Sequence, residues 1–184
     1  MAWTNAGGLP SISYTCGHCG NLVATGSGWQ RSGNTERIYL CSHCDKPTYF
    51  NERGAPLPGV AFGGTVAHLP PDVELLYSEA RRCTSAGAYT ASVLLSRKLL
   101  MNIAVAQGAK AGESFISYVE FLANSGYVPP NGKGWVDHIR KKGNEATHEI
   151  VLMSDRDAQD LIAFSEMLLK FIYEFPSKVP GPPP

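Results

Sequence analysis

Residues 16–44 read CGHCGNLVATGSGWQRSGNTERIYLCSHC. This stretch opens and closes on a C-x-x-C knuckle, Cys16–Cys19 and Cys41–Cys44, with twenty-one residues between the two. A C-x-x-C turn lets two thiolates face one ion, and a second such turn completes a tetrahedral shell of soft ligands. The spacing therefore predicts a zinc ribbon with Cys16, Cys19, Cys41 and Cys44 as metal ligands. Gly17 and Gly20 supply the tight backbone of the first turn. Two other readings stand beside this one. A redox C-x-x-C occurs once, before a helix in a βαβ unit, and this segment shows two copies without that pattern. His18 and His43 lie inside the knuckles and could replace two of the cysteines. Four thiolates leave no open coordination position, so the zinc expected here is structural. It folds a segment whose own core is small.

Around the knuckles, residues 1–51 are rich in Gly, Ser, Thr and Asn. Short β-prone pieces occur near Ser11–Thr15, Asn21–Thr25, Arg37–Leu40 and Thr48–Phe50, each bounded by turn residues, and predict hairpins. In this segment Arg31, Arg37 and Lys46 oppose Glu36 and Asp45, a formal +1, to which zinc held by four thiolates adds −2. This is not a basic DNA-reading finger. Trp29, Tyr39, Tyr49 and Phe50 form either a stacking surface for bases or the packing of a small core, and the second is the simpler expectation.

Residues 52–71 make a Pro- and Gly-rich connector, with Val60, Phe62 and Val66 available to pack as an extended arm. From residue 72 to 176 the pattern turns helical. Five segments are predicted: Asp72–Ala86, Tyr89–Gln107, Glu113–Asn124, Gly134–Ile150 and Ser154–Phe175. Gly87, Gly108 and Gly126 stop the first three. Ser154 caps the last, with Asp157 three residues on, and Pro176 ends it. Short links between such helices predict antiparallel neighbours, hence an all-α bundle. The fold class is α+β, a small β ribbon followed by this bundle. Residues 177–184, ending PGPPP, read as a proline-rich disordered tail.

Composition bounds the function. Across 184 residues, Lys plus Arg equals Asp plus Glu at 16 each, which excludes a polybasic nucleic-acid coat. No apolar run suits a membrane span, and no export signal is read at the N-terminus, so a cytoplasmic protein without membrane contact is expected. Cys83, alone on the first helix, reads as a small buried hydrophobe.

In the fourth helical segment Ile139, Gly143, Ala146 and Ile150 form a buried stripe, and Arg140, Asn144 and His148 a polar stripe beside it. A neutral histidine exchanges protons near pH 7, and an arginine holds a phosphate. A hydrogen-bonded cluster pinning helices together is the alternative.

The stretch from about Pro71 to Phe175 resembles a bacterial domain family of unknown function in the HEPN superfamily. The resemblance rests on Glu79-Ala80 with Cys83, on Ala91–Leu100 with Arg97, on IRKKGNEATH at Ile139–His148, and on the final helix Glu166–Pro176. It implies a HEPN-like bundle, N-terminal zinc knuckles or fusion to restriction endonucleases, and homodimers. Many such proteins are metal-independent ribonucleases. Carried over, the motif's polar residue falls on Asn144 and its histidine on His148, while its arginine position falls on Gly143. Glycine cannot stabilise a phosphorane. The leading expectation is therefore a non-catalytic accessory or binding module in prokaryotic defence or restriction, with a defence-system protein as partner. One alternative is an endoribonuclease with His148 as general acid/base, Asn144 orienting it and Arg140 or Arg97 on the phosphate. Another is a nucleotide or small-ligand sensor in which Arg97, Asn144 and His148 grip the ligand.

Overall fold

The computed structural model describes residues 5–129, 132, 134–139, 141 and 152–178. Within it the chain separates into two compact units, residues 1–61 and 62–184.

The first unit is an antiparallel sheet of five strands in sequential order: β1 Gly7–Thr15, β2 Leu22–Gln30, β3 Arg37–Leu40, β4 Pro47–Phe50 and β5 Pro56–Leu57. The β1/β2 pairing runs from Thr15↔Leu22 to Ile12↔Thr25, shifts register, and resumes at Gly8↔Ser27. Both strands are longer than the β-prone pieces of sequence suggest. The shift lets Leu9 and Ile12 both pack on the ribbon core despite their spacing. That core is small: Tyr14, Cys16, Val23, Tyr39 and Cys41 are buried, with Phe50 packed against them. Tyr14 and Tyr39 each meet the Phe50 ring edge-on, at 5.0 and 5.6 Å between centroids. The Tyr39 hydroxyl donates to Pro10 O at 2.9 Å. Two of the four aromatics that sequence leaves open between stacking and packing, Tyr39 and Phe50, thus belong to this core.

The second unit is helical: α1 Pro71–Ser85, α2 Tyr89–Ala106, α3 Phe115–Asn124, α4 over residues 134–139, and α5 Asp155–Leu169. A π turn, Lys170–Glu174, and a short α6, Phe175–Ser177, complete it. Helix α2 is the centre, packing against α1, α3 and α5. Its Val93, Leu99, Leu100, Ile103 and Ala104 are wholly buried, as are Leu161, Ile162 and Phe164 of α5. Ser92 of α2 is buried too. Its hydroxyl donates to Ala80 O at 2.9 Å and shares a 2.8 Å hydrogen bond with Thr84 Oγ1, so α1 and α2 are joined by a satisfied polar clasp. Ile139 of α4 is fully buried in the same core.

The helix ends follow their local chemistry. After α1, α2 and α3, Gly87, Gly108 and Gly126 take positive φ of 76°, 101° and 82°. In each case the next residue's amide reaches back to the helix: Ala88 to Cys83 O, Ala109 to Ala104 O, Tyr127 to Leu122 O. These are three Schellman closures. Helix α5 opens on a full capping box, Ser154 Oγ accepting from the Asp157 amide and Asp157 accepting from the Ser154 amide.

Its other end departs from the sequence reading. Pro176 does not stop the helix. The chain widens into the π turn and runs on through Pro176 to Ser177. In a regular α-helix the proline ring would strike the Ile172 carbonyl. The wider turn falls where that clash would occur.

Residues 62–69 form a strap bound to this unit. Arg81 donates to Phe62 O at 3.0 Å and to Gly63 O at 2.6 Å. The Tyr77 hydroxyl donates to Gly64 O at 3.0 Å, and the Gly64 amide to Glu166 at 2.8 Å. Val66 of the strap is buried in the helical core. Gly63, at φ +78°, lies so close to α5 that a Cβ there would sit 2.8 Å from Ile162 Cγ2. The expected fourth helix beyond residue 141 and the tail from residue 179 lie outside the described residues. Among the described residues no helix is long and apolar enough to cross a membrane.

The capping box gives a direct test. Ser154→Ala removes one acceptor and one donor at the start of α5 and should destabilise the helical unit by about 1 kcal/mol. Urea unfolding followed by helical circular dichroism measures it.

Candidate metal centre

The two knuckles have the same backbone. In the first, Gly20 N donates to Cys16 O at 2.8 Å and Cys16 N to Asn21 O at 2.9 Å. In the second, Asp45 N donates to Cys41 O at 3.0 Å and Cys41 N to Lys46 O at 3.0 Å. Each turn needs one residue in the left-handed region directly after its second cysteine. Gly20 (φ 73°) and Asp45 (φ 57°) fill that place, and both residue types tolerate it. Gly17 is required for a different reason. A Cβ there would lie 2.3 Å from Pro58 O and 2.4 Å from Gly59 O, so the backbone after β5 presses directly on the first knuckle.

This geometry brings four sulfurs together. Among the described residues Cys16, Cys19, Cys41 and Cys44 form the one group of three or more candidate ligands, all sulfurs lying within 4.8 Å of one another. Cys16 Sγ is 3.8 Å from Cys44 Sγ, and Cys19 Sγ is 3.8 Å from Cys41 Sγ. A tetrahedron with metal–sulfur bonds of about 2.3 Å has edges of about 3.8 Å. The donor set fits a four-coordinate ion such as zinc. Backbone amides point at the sulfurs in matching positions, His18 N to Cys16 Sγ and His43 N to Cys41 Sγ, each at 3.4 Å. Such donors stabilise thiolates.

Without a cation Cys19 and Cys44 are displaced in opposite directions. The Asn21 backbone and side chain, donating to Cys19, draw its thiol down to about 6. Burial, reinforced by the neighbouring sulfurs, pushes Cys44 up to about 12. Sulfurs this close resist joint ionisation, and a divalent ion relieves that repulsion.

The knuckle histidines are engaged elsewhere. His18 Nε2 lies 2.9 Å from Pro47 O, at the start of β4. His43 Nδ1 lies 3.2 Å from the Asn21 amide nitrogen, just after the first knuckle. Each histidine therefore clasps the other knuckle's flank, and the cysteine cluster forms without them.

Of the remaining residues singled out from sequence, Arg97 is described. It lies on α2, partly buried, with its guanidinium 4.5 Å above the Phe115 ring. Its Nη1 is enclosed and has no hydrogen-bond partner among the described residues, and burial holds its pKa below the ordinary arginine value. Cys83 sits on α1 with its thiol pushed up by burial, the opposite of an activated nucleophile. Arg140, Gly143, Asn144 and His148 lie outside the described residues.

Two arrangements escape sequence reading. His138 Nε2 is 3.0 Å from Asp160 Oδ2, and Arg156 Nε is 3.1 Å from Asp160 Oδ1, tying α4 to α5. The only sequence hint is the i, i+4 spacing of Arg156 and Asp160. On the ribbon, Trp29, Ile38 and Tyr49 line a groove of about 360 Å³. Strand register, invisible to local periodicity, assembles it.

A β ribbon carrying a four-cysteine, metal-competent cluster, followed by a helical domain, is the class of protein that fold and site define. The chain belongs to the DUF4145 family, described as a domain of unknown function, whose match spans residues 78–181, more than half of the sequence. No curated protein and no solved structure matches it.

Purified protein should carry one metal ion per chain, and Cys44→Ser should lower this to a small fraction of an ion. Stripping the metal with chelator, or protonating the ligands by lowering the pH, should abolish ribbon tertiary signals while the helical signal persists. Metal analysis with near- and far-UV circular dichroism reads both.

Proposed function

We propose that this protein is a non-catalytic binding or accessory module in which a structural zinc ion closes the N-terminal ribbon of a chain whose larger part is a DUF4145 helical domain. The observation that carries this reading is the closed sulfur shell. Opposite edges of 3.8 Å leave a four-coordinate ion no place for water or substrate. Zinc is the ion whose chemistry best suits four thiolates in this geometry. The resemblance of the helical part to HEPN-superfamily domains supports a setting in prokaryotic defence or another nucleic-acid-related process. The non-catalytic reading rests on Gly143, which stands where that resemblance expects a phosphate-stabilising arginine.

One observation favours ligand binding by the helical domain. Arg97 holds its guanidinium over Phe115 with an enclosed Nη1 that no group among the described residues satisfies. Buried donors without partners are uncommon. A phosphate or carboxylate would satisfy this one with a charge-assisted bond. Nucleotide sensing is the corresponding second reading.

The distinguishing assay incubates the metal-loaded protein with mixed single-stranded and structured RNAs and compares wild type with His148→Ala. The account predicts no His148-dependent cleavage. Turnover lost in the variant, leaving cyclic-phosphate ends, would replace it with the ribonuclease reading.

A further inference from the structure

Residues 62–69 bridge α1 and α5, and two carboxylates hold them there. The Gly64 amide donates to Glu166 Oε2 at 2.8 Å, and the Ala67 amide to Glu174 Oε2 at 3.2 Å. In each glutamate the other oxygen pairs with the lysine four residues on, Lys170 or Lys178. The same clamp is thus built twice. The π turn brings the two into line. Eight residues of regular α-helix leave an offset of about 80°, which would carry Glu174 away from the face of Glu166. An i→i+5 turn absorbs one extra residue and reduces the offset to about 20°. It also brings the rise between the two glutamates to about 10 Å, a span that the three residues from Gly64 to Ala67 cover when extended.

Little apolar burial backs these bonds. Of residues 62–69 only Val66 is buried, and Leu69 packs at the edge of the core. Both clamp bonds lie at exposed positions, as does the bond from Arg81 Nε to Phe62 O. Few buried contacts and solvent-exposed hydrogen bonds mark a segment that opens by itself. Gly63 and Gly64 add to this, because glycine regains the most backbone freedom on release. The charges on the glutamates oppose it. Burial would raise the Glu166 pKa, but Lys170, the Gly64 amide and Arg81 hold it below the usual carboxylate range. Lys178, the Ala67 amide and Lys170 hold Glu174 down as well. Tyr77, the remaining titratable group at Glu166, is pushed up by burial and stays a neutral hydroxyl. The strap's own titratable side chain, His68, pairs with neither glutamate among the described residues. Carboxylates lowered in this way hold the seated strap above about pH 4.3, and the hold is lost as the pH falls further.

We propose that residues 62–69 are a latch, seated on α1 and α5 by the charged Glu166 and Glu174 and released, with the helices still folded, when both charges are removed. Release returns eight residues to the connector that precedes α1, roughly 26 Å of extended chain. The latch needs neither the metal nor a ligand of the helical domain.

Native-state hydrogen exchange on the full-length, metal-loaded protein provides the test. Protection of the Gly64 and Ala67 amides should fall at least about tenfold between about pH 6 and about pH 4, while the buried α2 amides of Leu99 and Ile103 keep theirs. The double variant Glu166→Gln, Glu174→Gln removes both charges at neutral pH. Its strap protection should be as low at about pH 7 as that of wild type in acid, and insensitive to pH over the same range. Chymotrypsin should then cut this variant after Phe62, a bond that stays intact in wild type at neutral pH. Should the double variant fail to fold, the pH series on wild type decides by itself. Two results would overturn the proposal: strap amides that lose protection only together with Leu99 and Ile103, or a folded double variant whose strap is protected as in wild type.

Discussion

Four sulfur atoms lie within 4.8 Å of one another, and the ribbon's shape depends on resolving what that closeness costs. As thiols they are weak partners, and as thiolates they repel. A divalent cation turns the repulsion into attraction, worth on the order of 10 kcal/mol in small zinc domains. The rest of the ribbon could not supply this. Its buried apolar side chains, apart from the cysteines, are few: Tyr14, Val23, Tyr39 and Leu40. Much of the local detail serves the same end. Gly20 and Asp45 close matching turns, His18 and His43 clasp opposite knuckles, and Gly17 lets residues 58 and 59 cover the first turn. Burying Cys16 and Cys41 at 0% and 2% exposure would keep water from competing for an ion held there.

The helical unit solves the opposite problem. It has apolar surface in plenty, and its constraint is to hold α2, polar on little of its surface, among α1, α3 and α5 without leaving buried polar groups unmet. Ser92, Thr84 and the Ala80 carbonyl satisfy one another at the α1–α2 contact. The strap at residues 62–69 spends its backbone groups on Arg81, Tyr77 and Glu166. Glu166 shows how finely this is balanced. Burial alone would raise its pKa, but Lys170, the Gly64 amide and Arg81 together hold it below the usual carboxylate range. Two neighbours on α2 break the pattern: among the described residues neither the buried Ser96 Oγ nor the enclosed Arg97 Nη1 has a hydrogen-bond partner.

What the sequence made legible were features of short range. Two C-x-x-C turns single out, by spacing alone, the four cysteines that the fold brings together. The glycines at 87, 108 and 126 stop their helices because the left-handed turn they allow is a local event. Ser154 and Asp157 form the capping box that their three-residue separation suggests. The illegible features all arise from distant contacts. Strand β5 is two residues long and exists because β4 offers it an edge. The Trp29–Ile38–Tyr49–Leu57 row appears only once four strands share a register. Gly17 looks like a turn residue and is in fact a point of close backbone approach. Pro176 reads as a stop because α-helical geometry forbids it, and a change of helix type removes the prohibition.

X-ray absorption at the zinc edge of the purified, full-length protein tests the central claim most directly. A closed four-thiolate shell predicts only sulfur neighbours, four of them at about 2.3 Å. A shell containing nitrogen or oxygen at about 2.0–2.1 Å would contradict it, because an imidazole or water would then occupy a position that the geometry gives to cysteine.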